Sequence, residues 1–161
     1  MTDARWFEIE QDVAAASEHF RRSAEIYGAG GFDDASLDGY KARMALLHAM
    51  QSGHTSLESA LLRVLDLLGE AAPSGVDWHA DLVMRVSRDI AGRPAILSPE
   101  VATAAGETRR FRHVAMKSYG SFDIERAHPA VRAAGILARH FGADIAAFKR
   151  LIDPSAEAGT P

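Results

Sequence analysis

The sequence predicts an all-α protein, built as an up-and-down bundle of four or five helices. Apolar residues recur every three or four positions along most of the 161-residue chain, which is the period of a helix with one buried face. No segment of useful length alternates apolar and polar residues, as a half-buried strand would. The length fits one domain with an adequate hydrophobic core.

A glycine-rich break separates the first two predicted helices. The apolar stripe predicts a first helix over about residues 2–27, and the glycines of residues 28–31 end it. A second helix is predicted to begin after Asp34 or Ser36. Gly53 lies within the apolar stripe of this helix, so the sequence leaves open a kink or an interruption there.

Loop signals on both sides define a third helix and the start of a fourth. The sequence AAPSG, residues 71–75, predicts a loop, and Asp77 after it is a candidate N-cap for the third helix. The sequence GRP, residues 92–94, ends that helix. Ser98 is then predicted to cap the fourth helix, with Pro99 in its first turn.

The last part of the chain predicts one more helix and a tail. The fourth helix is predicted to run to Gly120, and Asp123 can cap a fifth helix. Pro129 marks either a bend in this helix or its start. We expect a single helical domain over residues 1–153 and a disordered tail over residues 154–161.

The composition excludes several classes of protein. A formal net charge of −4 and a pI of about 5.9 argue against binding nucleic acid by bulk charge alone, although an acidic protein can carry a small basic site. The absence of cysteine excludes disulfides, zinc–thiolate sites and thiol catalysis. The N-terminus, MTDARWFEIEQD, has no signal-peptide pattern, and no apolar run approaches the ~20 residues of a membrane span. We therefore expect a cytoplasmic protein that does not bind membranes.

Positive charge is concentrated in the stretch RRFRHVAMKSYG, residues 109–120. Side chains three or four positions apart share a helix face, so this stretch presents two neighbouring faces that are roughly 100° apart. The first face carries Arg112, Met116 and Tyr119, and the second carries Arg109, His113 and Lys117. Arginine binds phosphate bidentately and histidine transfers protons near neutral pH, so the surface suits a phosphodiester. The alternative is that these cations lie on an ordinary solvated helix face.

The other histidines give a weaker signal. His48 lies on a helix rich in core residues, and we expect it to be buried and hydrogen-bonded. His54 and His79 lie elsewhere without close carboxylate spacing, so no metal site is predicted. Glu58 is expected to be an exposed helix glutamate, and the alternative is that it pairs with a basic residue.

The sequence FRHVAMKSYG resembles the R-x-x-x-x-H-x-Y signature of HEPN proteins, specifically of HepT-like toxins. Arg112 matches the arginine and Tyr119 the tyrosine, while Lys117 stands in place of the histidine. The resemblance covers roughly residues 5–150. Three further blocks are similar in order and spacing to one HepT-like branch, namely the helix from His48 to Glu58, WHADLVMRV (78–86) and GRPAILS (92–98).

The resemblance implies an all-α bundle that forms a two-fold homodimer, in which the motif helices of both protomers meet in a cleft. It implies cleavage of RNA there without metal or cofactor, with the ribose 2′-hydroxyl as nucleophile. The implied partner is a minimal nucleotidyltransferase antitoxin, which silences the toxin by transferring AMP to the motif tyrosine. In this sequence that acceptor is Tyr119.

Two kinds of site residue follow for this chain, catalytic residues and residues that bind RNA phosphate. The catalytic candidates are Arg112, His113 and Lys117, and the phosphate-binding candidates are Arg109 and Arg110.

Lys117 is the departure from the family pattern. An imidazole, with an ordinary pKa of about 6.5, can serve as base and then acid, whereas a lysine ammonium, about 10.4, stays protonated at neutral pH. His113 lies one turn earlier on the same face and could supply the proton transfer instead. Two alternatives stay open: a non-catalytic HEPN subunit that binds a nucleotidyltransferase or its nucleotide, and a helical interaction domain without catalysis.

Overall fold

The structure, a computed structural model, describes residues 3–33, 35–117 and 123–154. These residues form five α-helices and one short 3₁₀ helix, with no strand among them, which confirms the all-α prediction. The helices are α1 (Ala4–Ala29), α2 (Leu37–Leu67), α3 (Trp78–Val86), α4 (Pro99–Lys117) and α5 (His128–Ile152), and the 3₁₀ helix is Ile124–Ala127.

The core lies along α1, which packs against both α2 and α5, and α4 packs along α5. Most of the apolar stripe positions predicted from the sequence face this core, but Leu37 and Tyr40 at the start of α2 are exposed. The largest fully buried aromatic side chains come from α1 and α5. They are Trp6, Phe20, Phe141 and Phe148. None of the described helices has an apolar stretch that would cross a membrane.

Helix α2 runs through Gly53 without interruption. The glycine lies against Phe20 of α1, and a Cβ added at position 53 would stand 2.7 Å from the Phe20 ring. Real Cβ atoms essentially never approach another atom that closely, so the glycine allows α1 and α2 to pack at this point. Gly53 therefore marks a close contact between two helices and not a kink or an interruption of α2.

Most of the predicted helix starts are confirmed. Ser36 caps α2 by accepting a hydrogen bond from the backbone N–H of Gly39 at 3.4 Å. The Ser98 Oγ accepts from the backbone N–H of Val101 at 3.4 Å, and α4 begins at Pro99 as predicted. Asp77 occupies the N-cap position of α3 but makes no side-chain capping bond, so that part of the prediction is wrong.

The start of α5 decides between the two interpretations of Pro129. The proline lies in the first turn of α5, which begins at His128, so it starts the helix and does not bend it. Asp123 caps the preceding 3₁₀ helix by accepting from the N–H of Glu125 at 3.0 Å.

Several predictions fall on positions outside the described residues. They are a helical start at Thr2, the choice of Asp34 as a helix boundary, the end of the fourth helix at Gly120 and all but Pro154 of the tail 154–161.

The short helix α3 is held by the segment that follows it. The backbone N–H groups of Ile96 and Leu97 donate to the carbonyl of Val86 at 2.8 and 3.0 Å. The Arg93 guanidinium forms an ion pair with Glu70, which precedes α3 in the chain. These bonds connect the loops at both ends of α3 and fix the helix beside α4.

Candidate functional site

Three of the predicted site residues line one pocket between α3 and α4. The pocket has a volume of about 350 Å³, and Arg109, Arg112 and His113 form its α4 wall. Its other wall comes from the start of α3 and includes His79. We call it the α3–α4 pocket, and its lining residues are Val76, Asp77, His79, Ala80, Arg109, Arg112 and His113.

The remaining predicted residues lie away from this pocket or outside the described residues. Arg110 is exposed and forms an ion pair with Glu107 on its own helix, which favours the solvated-face interpretation for this one arginine. Lys117 is exposed at the end of α4 and does not line the pocket. Tyr119 and the side chain of Met116 lie outside the described residues.

Arg112 is held in the pocket wall by a buried carboxylate. Its Nη1 donates to Oε1 of Glu58 at 2.7 Å, and its side chain is 24% exposed. Glu58 itself is 3% exposed, so the expectation of an exposed glutamate is wrong and the alternative of a basic partner is correct. The second oxygen, Oε2, accepts a hydrogen bond from Nδ1 of His79. One side chain of α2 thus connects α3 and α4.

A second histidine, which unlike His79 is buried, lies one turn before this carboxylate. Nδ1 of His54 is 2.9 Å from Oγ1 of Thr108, which donates its own proton to the carbonyl of Ala105 at 3.2 Å. The Thr108 oxygen therefore accepts from His54, so Nδ1 of this ring carries a proton. Nε2 of His54 then faces Glu58 Oε2 at 3.7 Å and has no hydrogen-bond partner among the described residues.

These neighbours keep Glu58 ionised. Burial of the carboxyl group opposes its ionisation, but the imidazoles of His54 and then His79 outweigh burial, so the pKa of Glu58 lies below its usual value. A buried carboxylate is tolerated only when its oxygens are paired, and here Arg112 and His79 take one oxygen each.

The histidine predictions need two corrections. His48 is exposed on α2, where its ring lies 6.0 Å from that of His19, so the expected burial is wrong. The buried histidine of this helix is His54, because it lies on the apolar stripe that packs on α4. His54 and His79 also do have a nearby carboxylate, contrary to expectation, since Glu58 lies beside both.

A family model described as HepT-like protein matches residues 45–152, which is more than half of the chain. The chain belongs to the HepT-like family of HEPN proteins. The resemblance inferred from the sequence is thereby confirmed, and the matched range contains every residue of the α3–α4 pocket as well as Glu58. No curated protein and no solved structure matched the chain. That Lys117 occupies the position of the motif histidine of HepT-like proteins stays a prediction.

Proposed function

We propose that this HepT-like protein is the toxin of a toxin–antitoxin pair and a metal-independent endoribonuclease. The observation that carries the proposal is the α3–α4 pocket, where Arg109, Arg112 and His113 lie together. Guanidinium groups bind phosphate oxygens bidentately, and an imidazole can transfer a proton near neutral pH. RNA brings its own nucleophile, the 2′-hydroxyl, so phosphate binding and proton transfer are what the protein must supply.

The cleft is proposed to form between two copies of the chain. Val114, beside His113 on α4, is 59% exposed, and Val76 at the pocket edge is 97% exposed. Apolar side chains next to a basic surface support a partner that covers this part of α4. A two-fold dimer would also place two sets of α4 cations together, which explains how a chain of net charge −4 could bind RNA. Lys117, at the exposed end of α4, would then contribute to the shared cleft.

The first test is RNA cleavage by the purified protein in EDTA. We expect the wild type to cleave and Arg112→Lys to lose about 10²–10³-fold in rate, because lysine keeps a cation for Glu58 but loses the bidentate fork. Arg22→Ala is the control, since it removes one exposed arginine of α1 that is paired only at the surface. Cleavage that requires a divalent metal, or Arg112→Lys at the wild-type rate, would contradict the proposal.

A second candidate function is a non-catalytic HEPN subunit that binds a nucleotidyltransferase or its nucleotide. The observation in its favour is Lys117, which stands where the motif has its histidine. A folded, dimeric wild type that cleaves no RNA would favour this candidate over the nuclease.

The proposed partner is a minimal nucleotidyltransferase antitoxin that modifies Tyr119. In this reaction the phenol oxygen attacks the α-phosphate of ATP, pyrophosphate leaves, and the phenolic proton passes to solvent or a base. The added phosphate charge would compete with RNA for Arg112, which shares a helix face with Tyr119 in the sequence pattern.

Mass spectrometry tests this modification. With the partner and ATP, we expect Tyr119 to gain one AMP group and cleavage to stop. Tyr119→Phe should stay unmodified and active, whereas Tyr40→Phe, which removes an exposed phenol on α2, should still be modified. AMP on another residue, or continued cleavage by the modified protein, would argue against this regulation.

A further inference from the structure

We propose that His79 is a catalytic residue of the α3–α4 pocket and that Glu58 is its positioning residue. This inference rests on the proposed nuclease function and deepens it, because it assigns the proton transfer that Lys117 is poorly suited to perform. Neither residue belongs to the arginine–histidine–tyrosine signature on the fourth helix.

The geometry around His79 is that of a carboxylate–histidine pair. Glu58 accepts from Nδ1 of His79, and since the carboxylate is ionised, the proton of that bond belongs to the imidazole. The bond fixes the tautomer and leaves Nε2 as the ring nitrogen that can meet a ligand. The His79 side chain is 34% exposed and lines the pocket, so a ligand in the pocket can reach the ring.

The same carboxylate also fixes Arg112. Its Oε1 holds the guanidinium and its Oε2 holds the imidazole, so the phosphate-binding group and the proton-transfer group are placed by one buried side chain. Glu58 has little freedom to move, because it is 3% exposed and contacts α3 and α4 together. Because both side chains are already in place, they need not move during the reaction, and this lowers the activation free energy.

The pocket has one histidine on each wall, His79 from α3 and His113 from α4. In the proposed step, Nε2 of neutral His79 takes the proton of the 2′-hydroxyl while the 2′-oxygen forms a bond to phosphorus. The bond from phosphorus to the 5′-oxygen breaks, and protonated His113 gives its proton to that oxygen. Arg109 and Arg112 bind the non-bridging oxygens. The products are a 2′,3′-cyclic phosphate and a 5′-hydroxyl, and the carboxylate stabilises the imidazolium formed on His79.

The test compares the pH dependence of RNA cleavage for wild type and His79→Asn. Asparagine can still donate a hydrogen bond to Glu58, so the fold is expected to survive, but its amide does not titrate. We expect kcat to fall about 10²–10⁴-fold with little change in KM, and the limb of the pH–rate profile that reports the base to disappear. His48→Asn is the matched control, because His48 is an exposed histidine of α2 that does not line the pocket.

Two further variants separate chemistry from folding. His79→Ala should regain part of its rate when free imidazole is added, which a purely structural role would not produce. Glu58→Gln should lower kcat and shift the pH profile while near-ultraviolet circular dichroism stays that of the wild type.

These experiments distinguish failure of the inference about His79 from failure of the proposed nuclease function. If His79→Asn keeps the wild-type rate and pH profile while Arg112→Lys is inactive, the inference is overturned and the nuclease proposal stands. If the wild type cleaves no RNA, both are overturned. If imidazole fails to restore a folded His79→Ala variant, His79 is not the base.

Discussion

Replacing Glu58 with alanine is expected to lower the free energy of unfolding by about 3–5 kcal/mol at neutral pH. The change leaves the cation of Arg112 without its partner in a site that is largely removed from water, and it leaves Nδ1 of His79 without an acceptor. Removing one member of a buried ion pair costs more than the pair contributes, because the remaining charge stays desolvated. Urea titration followed by circular dichroism would measure the loss.

Glu107→Ala is the matched control for this prediction. Glu107 also pairs with an arginine on α4, but the pair lies on the exposed face of the helix. Exposed pairs contribute about 0–1 kcal/mol, so the control should change the free energy of unfolding little. Equal losses for the two variants would mean that burial of Glu58 contributes nothing.

The effect of Glu58 on stability should depend on pH. Its pKa is lowered in the folded protein, so the folded state binds this proton less readily than the unfolded chain does. The stabilisation is therefore complete above the ordinary glutamate value of about 4.3 and is lost as the pH falls through the lower folded value. The difference in stability between wild type and Glu58→Gln should shrink as the pH falls from about 5 to about 3, a range that includes the ordinary glutamate pKa. A difference that stays constant over that range would contradict the lowered pKa.

Phe20→Ala is expected to cost about 3–5 kcal/mol of stability, which is typical of a buried phenylalanine. Phe20 is fully buried and lies against Gly53 across the contact between α1 and α2. Gly53→Ala alone should also destabilise, by about 1–3 kcal/mol, because its methyl would stand 2.7 Å from the ring. In the double variant the methyl enters the space that the ring has left, so the two costs should not add.

Gly28→Ala controls for the helix propensity gained on replacing glycine. A Cβ at position 28 would meet no atom within 4 Å, so this variant should be neutral or more stable by up to about 1 kcal/mol. Additive losses in the Phe20 and Gly53 double variant would show that the ring is not what excludes the methyl group.

Periodicity and helix-breaking residues were enough to predict the helices, because one buried stripe per helix is a local pattern. Gly53 could not be interpreted locally, since its role depends on a ring from another helix. Only the α4 side of the α3–α4 pocket was predicted from the sequence. Arg109, Arg112 and His113 are close together in the sequence, so helix geometry alone grouped them on α4.

The other side of the site depends on contacts between distant positions. Glu58 and His79 are 21 residues apart, and Glu58 and Arg112 are 54 apart, so no local pattern connects them. Glutamate is almost never fully buried unless it is paired, which made exposure the reasonable expectation. The sequence does carry one signal for this burial: His54 and Glu58 lie four positions apart among the apolar residues of α2, which places both on its buried face.

The shared carboxylate of Glu58 also constrains how the sequence of such a protein can drift over time. A change at position 58 removes the hydrogen-bond acceptor of both Arg112 and His79. A change at position 112 or 79 leaves one oxygen of the buried Glu58 carboxylate without its partner. Single substitutions therefore pass through a destabilised intermediate. Positions 58, 79 and 112 should accordingly be exchanged as a set among homologues, and the residue found at one should predict the residues found at the other two.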